Sequence, residues 1–312
     1  MTALLNKLKT LCFRWYYRRM NRLAWEGTPL PEVKTSVLQL AFDEYSLATR
    51  MYHGSLERPL IIYFHGGGWT IGDLDTHHPF CLHLADQTQC TVMSVDYRLA
   101  PEHPFPTAHN DALAASRWII DNLNALAPNN GEVVIAGDSA GGNLTLATAA
   151  RLPDEPRLRG CLMMYPAIQH YHAAMRSYTE HAKSGPLTTS IMRWFTDTYL
   201  DGLAPADPSV ELMFPGRRTT LAGFPRSLLI TAERDPLRDD GRRLANTLQR
   251  AHVIVQHEHF DQEAHGFPCS EGPTPGHERF MAITKTWIEA IIISPNQGAK
   301  TIPFSEKLSK KM

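Results

Sequence analysis

The run Val133-Val134-Ile135-Ala136-Gly137-Asp138-Ser139-Ala140-Gly141-Gly142 constrains this chain more than any other stretch. A short β-branched segment ends in Gly-Asp-Ser-Ala-Gly and an alanine-rich segment follows at once, which predicts strand, sharp turn and helix. Such a turn forces its serine into a strained backbone conformation and projects the hydroxyl at the carboxyl end of a sheet. The flanking glycines keep side chains away where strand and helix nearly touch. A serine that merely N-caps the next helix accounts for Ser139, but not for both glycines and the preceding strand.

The surrounding chain supports a sheet of the kind this turn needs. Pro59 to Phe64 is a continuous apolar run that suits a strand buried on both faces. Further strands are expected at Cys90–Val95, Leu162–Tyr165, Ser227–Ala232 and Val253–His257. Helices are expected near Thr76–Thr88, through Ala112, Ala115, Ile119, Leu123 and Leu126, at Arg243–His252 and at Glu278–Ile292. Repeated β-then-α units imply a mostly parallel sheet covered on both faces. About sixty residues separate Tyr165 from Arg226, far more than a crossover needs. An insertion at the carboxyl end of a strand lies over the ligand site of such folds, so this one reads as a lid.

Residues 1–25 read as an amphipathic helix. Leu4, Leu8, Leu11 and Trp15 recur at helical spacing, Lys7, Arg14 and Arg18 form an adjoining basic strip, and no acidic residue precedes Glu26. A membrane-surface helix or a targeting segment are the functional readings. The preferred one is a helix packed on the rest of the protein with its basic side chains facing water. Residues 294–312 are polar and basic and are expected to be loosely ordered.

Composition narrows the function classes. The 31 basic and 32 acidic residues nearly cancel, which argues against a nucleic-acid partner. Cys12, Cys81, Cys90, Cys161 and Cys269 are odd in number and never spaced C-x-x-C, fitting reduced thiols in a cytoplasmic protein better than a disulfide scaffold or zinc site. No apolar run approaches a membrane span, and no stable membrane association is expected.

A serine hydroxyl needs a base within hydrogen-bond reach, and the base needs an orienting acid. After a strand–Ser–helix turn these partners follow in the order acid, then histidine. Glu233, Asp235, Asp239 and Asp240 all compete for the acid, and Asp235 is preferred because it sits on the loop just past a strand. Among the later histidines, His257 and His259 alternate as strand residues do, whereas His265 lies on a loop before Gly266. The loop His65-Gly66-Gly67-Gly68 exposes backbone N–H groups that could hold an oxyanion, Gly67 and Gly68 joining Ala140 as donors. A phosphate cradle is disfavoured because no Lys-Ser/Thr pair follows.

With those residues in view, the chain resembles the hormone-sensitive lipase family of α/β-hydrolases, especially the bacterial acetyl esterases. The matching residues are His65–Trp69, Gly72–His77, Asp96–Glu102, Gly137–Gly142, Asp235–Leu237 and His265–Phe267. Trp69 stands where many relatives carry phenylalanine. The resemblance implies an eight-stranded α/β-hydrolase sheet in one domain, with cap elements at residues 1–45 and about 166–225. It also implies hydrolysis of small carboxylic esters with short acyl chains and neither cofactor nor metal. The oligomeric state is left as monomer or homodimer. Amidase, thioesterase or lactonase chemistry would use the same machinery, and a non-catalytic ligand receptor is the alternative from another class.

Overall fold

The computed structural model describes residues 2–214, 221–270 and 272–293, and of the side chains of residues 2–6 and 270 nothing is stated. The 294–312 tail expectation and the Leu4 side chain therefore lie outside the described residues. Eight strands form one sheet: β1 (Thr35–Ala41), β2 (Ser46–Tyr52), β3 (Leu60–Phe64), β4 (Val92–Val95), β5 (Val133–Asp138), β6 (Leu158–Met164), β7 (Ser227–Arg234) and β8 (Val255–Ala264). Their spatial order is β1-β2-β4-β3-β5-β6-β7-β8. Strands β1 and β2 are antiparallel, β2 joins β4 antiparallel, and every pairing from β4 through β8 is parallel. The expected mostly parallel sheet is the one observed.

The helices are α1 (Thr2–Ala24), α2 (His78–Thr88), α3 (Thr107–Asp121), α4 (Leu123–Leu126), α5 (Ala140–Ala149), α6 (Ser177–Glu180), α7 (Thr189–Leu200), α8 (Arg238–Arg250), α9 (Phe267–Ser270) and α10 (Pro275–Ile293). Successive strand residues point to opposite faces, and both faces of the central strands are apolar. Leu60, Ile62 and Phe64 of β3 and Val133 and Ile135 of β5 pack with α3, α5 and α8. Ile61, Tyr63, Val134 and Ala136 pack on the other face with α2 and α10. This is why β3 and β5 read as uninterrupted apolar runs rather than alternating ones.

Strand β8 begins at Val255 and runs to Ala264, later and longer than the expected Val253–His257. Its first half alternates polar side chains that do not announce a strand by hydrophobicity, and it is held by pairing to β7. His257 and His259 lie on it as expected.

Helix α1 is packed on the protein, but not as its apolar stripe suggests. Thr10, Asn21 and the flanking Phe13 and Tyr17 face inward, whereas Leu8, Leu11 and Trp15 are exposed. Two of its basic residues also find protein partners, Arg14 half-buried and Arg18 still exposed. Arg14 grips Glu102 through both guanidinium arms (3.1 and 2.8 Å) and donates to the carbonyls of Thr70 and Ala100. Arg18 pairs with Asp73, whose carboxylate also accepts the N–H groups of Asp75 and Thr76. Of the expected water-facing strip, Lys7 and Arg18 are exposed, whereas Arg14 is half-buried, and polar contacts from Arg14 and Arg18 anchor the helix.

The turn between β5 and α5 is as tight as its glycines require. A methyl on Gly141 would run into the carbonyl of Phe64 on β3, and one on Gly137 into the backbone of Gly141. Gly141→Ala therefore cannot be absorbed by side-chain adjustment. It is expected to lower stability by at least about 3 kcal/mol, in the upper range for overpacking. Thermal unfolding of purified protein measures this, and an unchanged melting temperature would show the contact to be looser than described.

Candidate active site

Ser139 sits at the top of β5 with φ +53° and ψ −113°. That conformation is costly for a residue with a Cβ, and three backbone bonds hold it. Its N–H donates to Met164 on β6, and its carbonyl accepts from Asn143 (3.0 Å) and Ala167 (3.4 Å). Its hydroxyl lies 3.0 Å from His265 Nε2.

His265 follows the last residue of β8, and Asp235 follows the last residue of the neighbouring β7. Parallel pairing brings these two strand ends side by side. Asp235 Oδ2 accepts from His265 Nδ1 at 2.9 Å, and Oδ1 accepts the N–H of Leu237. With Nδ1 protonated toward the carboxylate, Nε2 of a neutral ring is left as an acceptor for the serine proton. Asp235 is fully buried, and the Tyr165 ring packs on the imidazole. The structure thus brings together Ser139, Asp235 and His265, chosen from the sequence. It places Glu233 and Asp239 in a separate ion-pair network around Arg238, and Asp240 on a buried contact to Tyr178.

The His65–Gly68 loop lies beside Ser139. The N–H groups of Gly67, Gly68 and Ala140 donate to no acceptor among the described residues. Gly66 N–H donates to Asp138 Oδ1 at 2.7 Å, and the Tyr63 hydroxyl donates to the same oxygen at 2.6 Å. His65 is buried, its Nδ1–H donates to the Gly66 carbonyl, and its own carbonyl accepts the Tyr97 hydroxyl. Burial, helped by nearby His77, lowers the His65 pKa to about 4, so the ring is neutral at pH 7. Burial pushes the Asp138 carboxyl up, yet His77 and the Tyr63 hydroxyl outweigh it and hold the group below the usual carboxylate range.

Asp138, Tyr63 and Tyr97 were not singled out from the sequence. The signal was present for Asp138, an acidic residue at the end of a strand buried on both faces, where a carboxylate must have partners. The two tyrosines gave none, because their partners are far away in the chain.

Two cavities flank Ser139. The larger, about 820 Å³, is bordered by His265 and Gly266 on one side and by Phe13, Tyr17 and Met20 of α1 on another. The smaller, about 20 Å³, is closed by Trp69, Leu187, Met192, Phe195 and Phe214. Helix α7 supplies Met192 and Phe195, and its far end is tied down where the Tyr199 hydroxyl meets His109 Nδ1 at 2.7 Å. His109 in turn meets Asn143 of α5 at 3.0 Å, and burial depresses its pKa to about 3. Among the described residues no group of three or more His, Cys, Asp or Glu side chains could hold a metal ion.

Comparison with known proteins agrees with this fold. A family described as having the alpha/beta hydrolase fold matches residues 61–269. The chain is 36% identical over 257 residues to the carboxylesterase NlhH of Mycobacterium tuberculosis, covering 80% of each chain. It is 33% identical over 224 residues to an ethyl acetate hydrolase of Pseudomonas putida, covering 69% of each. Among solved structures, a hyperthermophilic esterase from the archaeon Pyrobaculum calidifontis superposes with a TM-score of 0.83 at 29% identity, covering 91% of this chain and 92% of that one. The fold and these matches define an α/β-hydrolase. More narrowly, the chain belongs to the hormone-sensitive lipase family of that fold.

Asp240 offers a check on the packing beneath the Asp235 loop. It accepts from Tyr178 and from the Ile168 N–H, and burial raises its pKa to about 7, with a contribution from Asp235. The unfolded chain would release this proton near pH 4. Between about pH 4 and 7 the native state holds the extra proton, so this group's contribution to stability declines as pH rises through that window. In Asp240→Asn the melting temperature is expected to fall less than in the wild type between pH 5 and 7.5. Parallel curves would mean that Asp240 is ionised throughout.

Proposed function

We propose that Ser139, His265 and Asp235 make this carboxylic ester hydrolase a serine esterase for short acyl chains. The observation that carries the reading is the continuous hydrogen-bonded line from Asp235 through His265 to Ser139. His265 Nε2 takes the Ser139 proton as the oxygen attacks the ester carbonyl, and the oxyanion forms against the N–H groups of Gly67, Gly68 and Ala140. Asp235 stabilises the imidazolium. His265 then gives its proton to the leaving alcohol, and water hydrolyses the acyl-enzyme by the same route. Asp138 positions the donor loop by fixing Gly66.

The two cavities support an assignment of the substrate's ends. The leaving oxygen must lie next to His265 to receive its proton, and His265 borders only the larger cavity. The alcohol portion is thus assigned there, and the acyl chain to the 20 Å³ space beyond Gly68 and Ala140. That volume holds about one water-sized group, which suits an acetyl methyl. The name of the Pseudomonas relative, an acetate-ester hydrolase, is in keeping with this. Residues 1–45 and about 166–225 act in this reading as the cap, the first segment bordering the larger space through α1 and the second bordering both.

Ser139→Ala should reduce kcat for p-nitrophenyl acetate by at least about 10⁴-fold, as loss of a triad nucleophile does. Near-wild-type hydrolysis by the folded variant would remove Ser139 from the mechanism. Across p-nitrophenyl esters of two to twelve carbons, kcat/KM should fall steeply beyond about four carbons. Phe195→Ala should raise the octanoate-to-acetate ratio roughly tenfold or more, and an unchanged ratio would place the acyl chain elsewhere.

A further inference from the structure

Helix α1 is the largest anomaly on the surface. Of the twelve exposed large hydrophobic residues among the described ones, it carries six: Leu8, Leu11, Trp15, Tyr16, Met20 and Leu23. Trp15 is 65% exposed, Leu8 51% and Leu11 47%. An indole left in water on a helix that is otherwise firmly anchored has no role in the packing. At helical spacing Leu8, Leu11 and Trp15 share one face, and Leu23 lies to one side of it two turns on. Tyr16 and Met20 lie beside that face and form the rim of the large cavity that reaches Ser139 and His265.

The charges on the same helix are one-sided. Arg14 and Arg18 are committed to Glu102 and Asp73, and the Lys9 ammonium lies 4.9 Å from the Trp194 ring centre. Lys7, Arg19 and Arg22 remain exposed, flanking or interrupting the apolar face, and Arg19 lies over the Trp15 ring. No acidic side chain occurs on the helix.

We propose that this face of α1 docks the enzyme reversibly on an anionic lipid surface. The exposed indole and leucines enter the headgroup–acyl boundary, and Lys7, Arg19 and Arg22 meet the lipid phosphates. An apolar face on a helix that carries exposed cations and no acidic residue of its own, the nearby Glu102 and Asp73 being paired with Arg14 and Arg18, is the pattern that such surfaces bind. A second copy of this chain would bring the same cations against each other, and charge complementarity therefore favours lipid. The docked orientation turns the cavity rim at Tyr16 and Met20 toward the bilayer, giving apolar esters dissolved there a path to Ser139 that avoids bulk water. The affinity of one helix face with three cations is modest, which makes this a salt-sensitive equilibrium and not a stable anchor.

The test is flotation of the full chain with vesicles of phosphatidylcholine alone or with about one third phosphatidylglycerol, in low and in 0.5 M salt. Binding is expected on the anionic vesicles at low salt and to fall more than about tenfold in high salt, on neutral vesicles, or in Arg19→Glu/Arg22→Glu. Leu11→Ser/Trp15→Ser should also lose binding. Both variants should keep wild-type turnover of soluble p-nitrophenyl acetate, which separates lost docking from lost folding. Equal binding to neutral vesicles, absence of binding, or a dimer dispersed by Leu11→Ser/Trp15→Ser would each overturn the proposal, the last in favour of a self-interface. Because binding is read without turnover, its failure is distinct from failure of the esterase reading.

Discussion

The structure depends on the close approach of β3, β5 and α5 around Ser139. Phe64 at the end of β3 places its carbonyl where any side chain on Gly141 would lie, and Gly141 in turn blocks any side chain on Gly137. Between these two glycines, Ser139 is held at φ +53°. Local strain of this sort survives only when its surroundings over-determine it. Here they do so through the bond from Ser139 to Met164 on β6 and through α5, which starts at the next residue and presents the Ala140 N–H to the same space. The fold and the candidate nucleophile thus rest on one packing constraint.

The other parts of the site come to this turn by topology. Parallel strands β7 and β8 end next to one another, so residues thirty apart in sequence, Asp235 and His265, meet at 2.9 Å. Strand β3 delivers the glycine loop to the same edge, and Asp138 holds it there through Gly66. One residue of the Gly-Asp-Ser-Ala-Gly motif therefore supplies the candidate nucleophile, while the residue before it fixes the neighbouring donor loop. A buried carboxylate with three polar neighbours on three elements ties the relative position of those parts to the core.

What was legible in the sequence follows from where the information lies. Apolar runs in β3 and β5 announce a doubly covered sheet, and the order Ser139, Asp235, His265 along the chain selects one candidate from four acids and many histidines. The bounds of β8 are not legible in the sequence because the strand is held by pairing with β7 and His257–Gln262 carries no periodic apolar signal. Helix α1 was legible as a helix but not in its orientation. Its apolar stripe suggests burial, whereas Arg14 and Arg18 bind Glu102 and Asp73, partners more than fifty residues away, and so rotate Leu8, Leu11 and Trp15 toward solvent. Tyr63 and Tyr97 were silent because a tyrosine in an apolar strand or loop looks like core until its hydroxyl finds a distant acceptor.

In the proposed mechanism Ser139, activated by His265, forms the covalent acyl-enzyme. The most direct measurement of this is peptide mapping by mass spectrometry after reaction with a fluorophosphonate, which traps an activated serine at its oxygen. One modified peptide carrying the label on Ser139 is expected, with loss of labelling in a folded His265→Ala variant. A label on another residue, or undiminished labelling of Ser139 without His265, would contradict it.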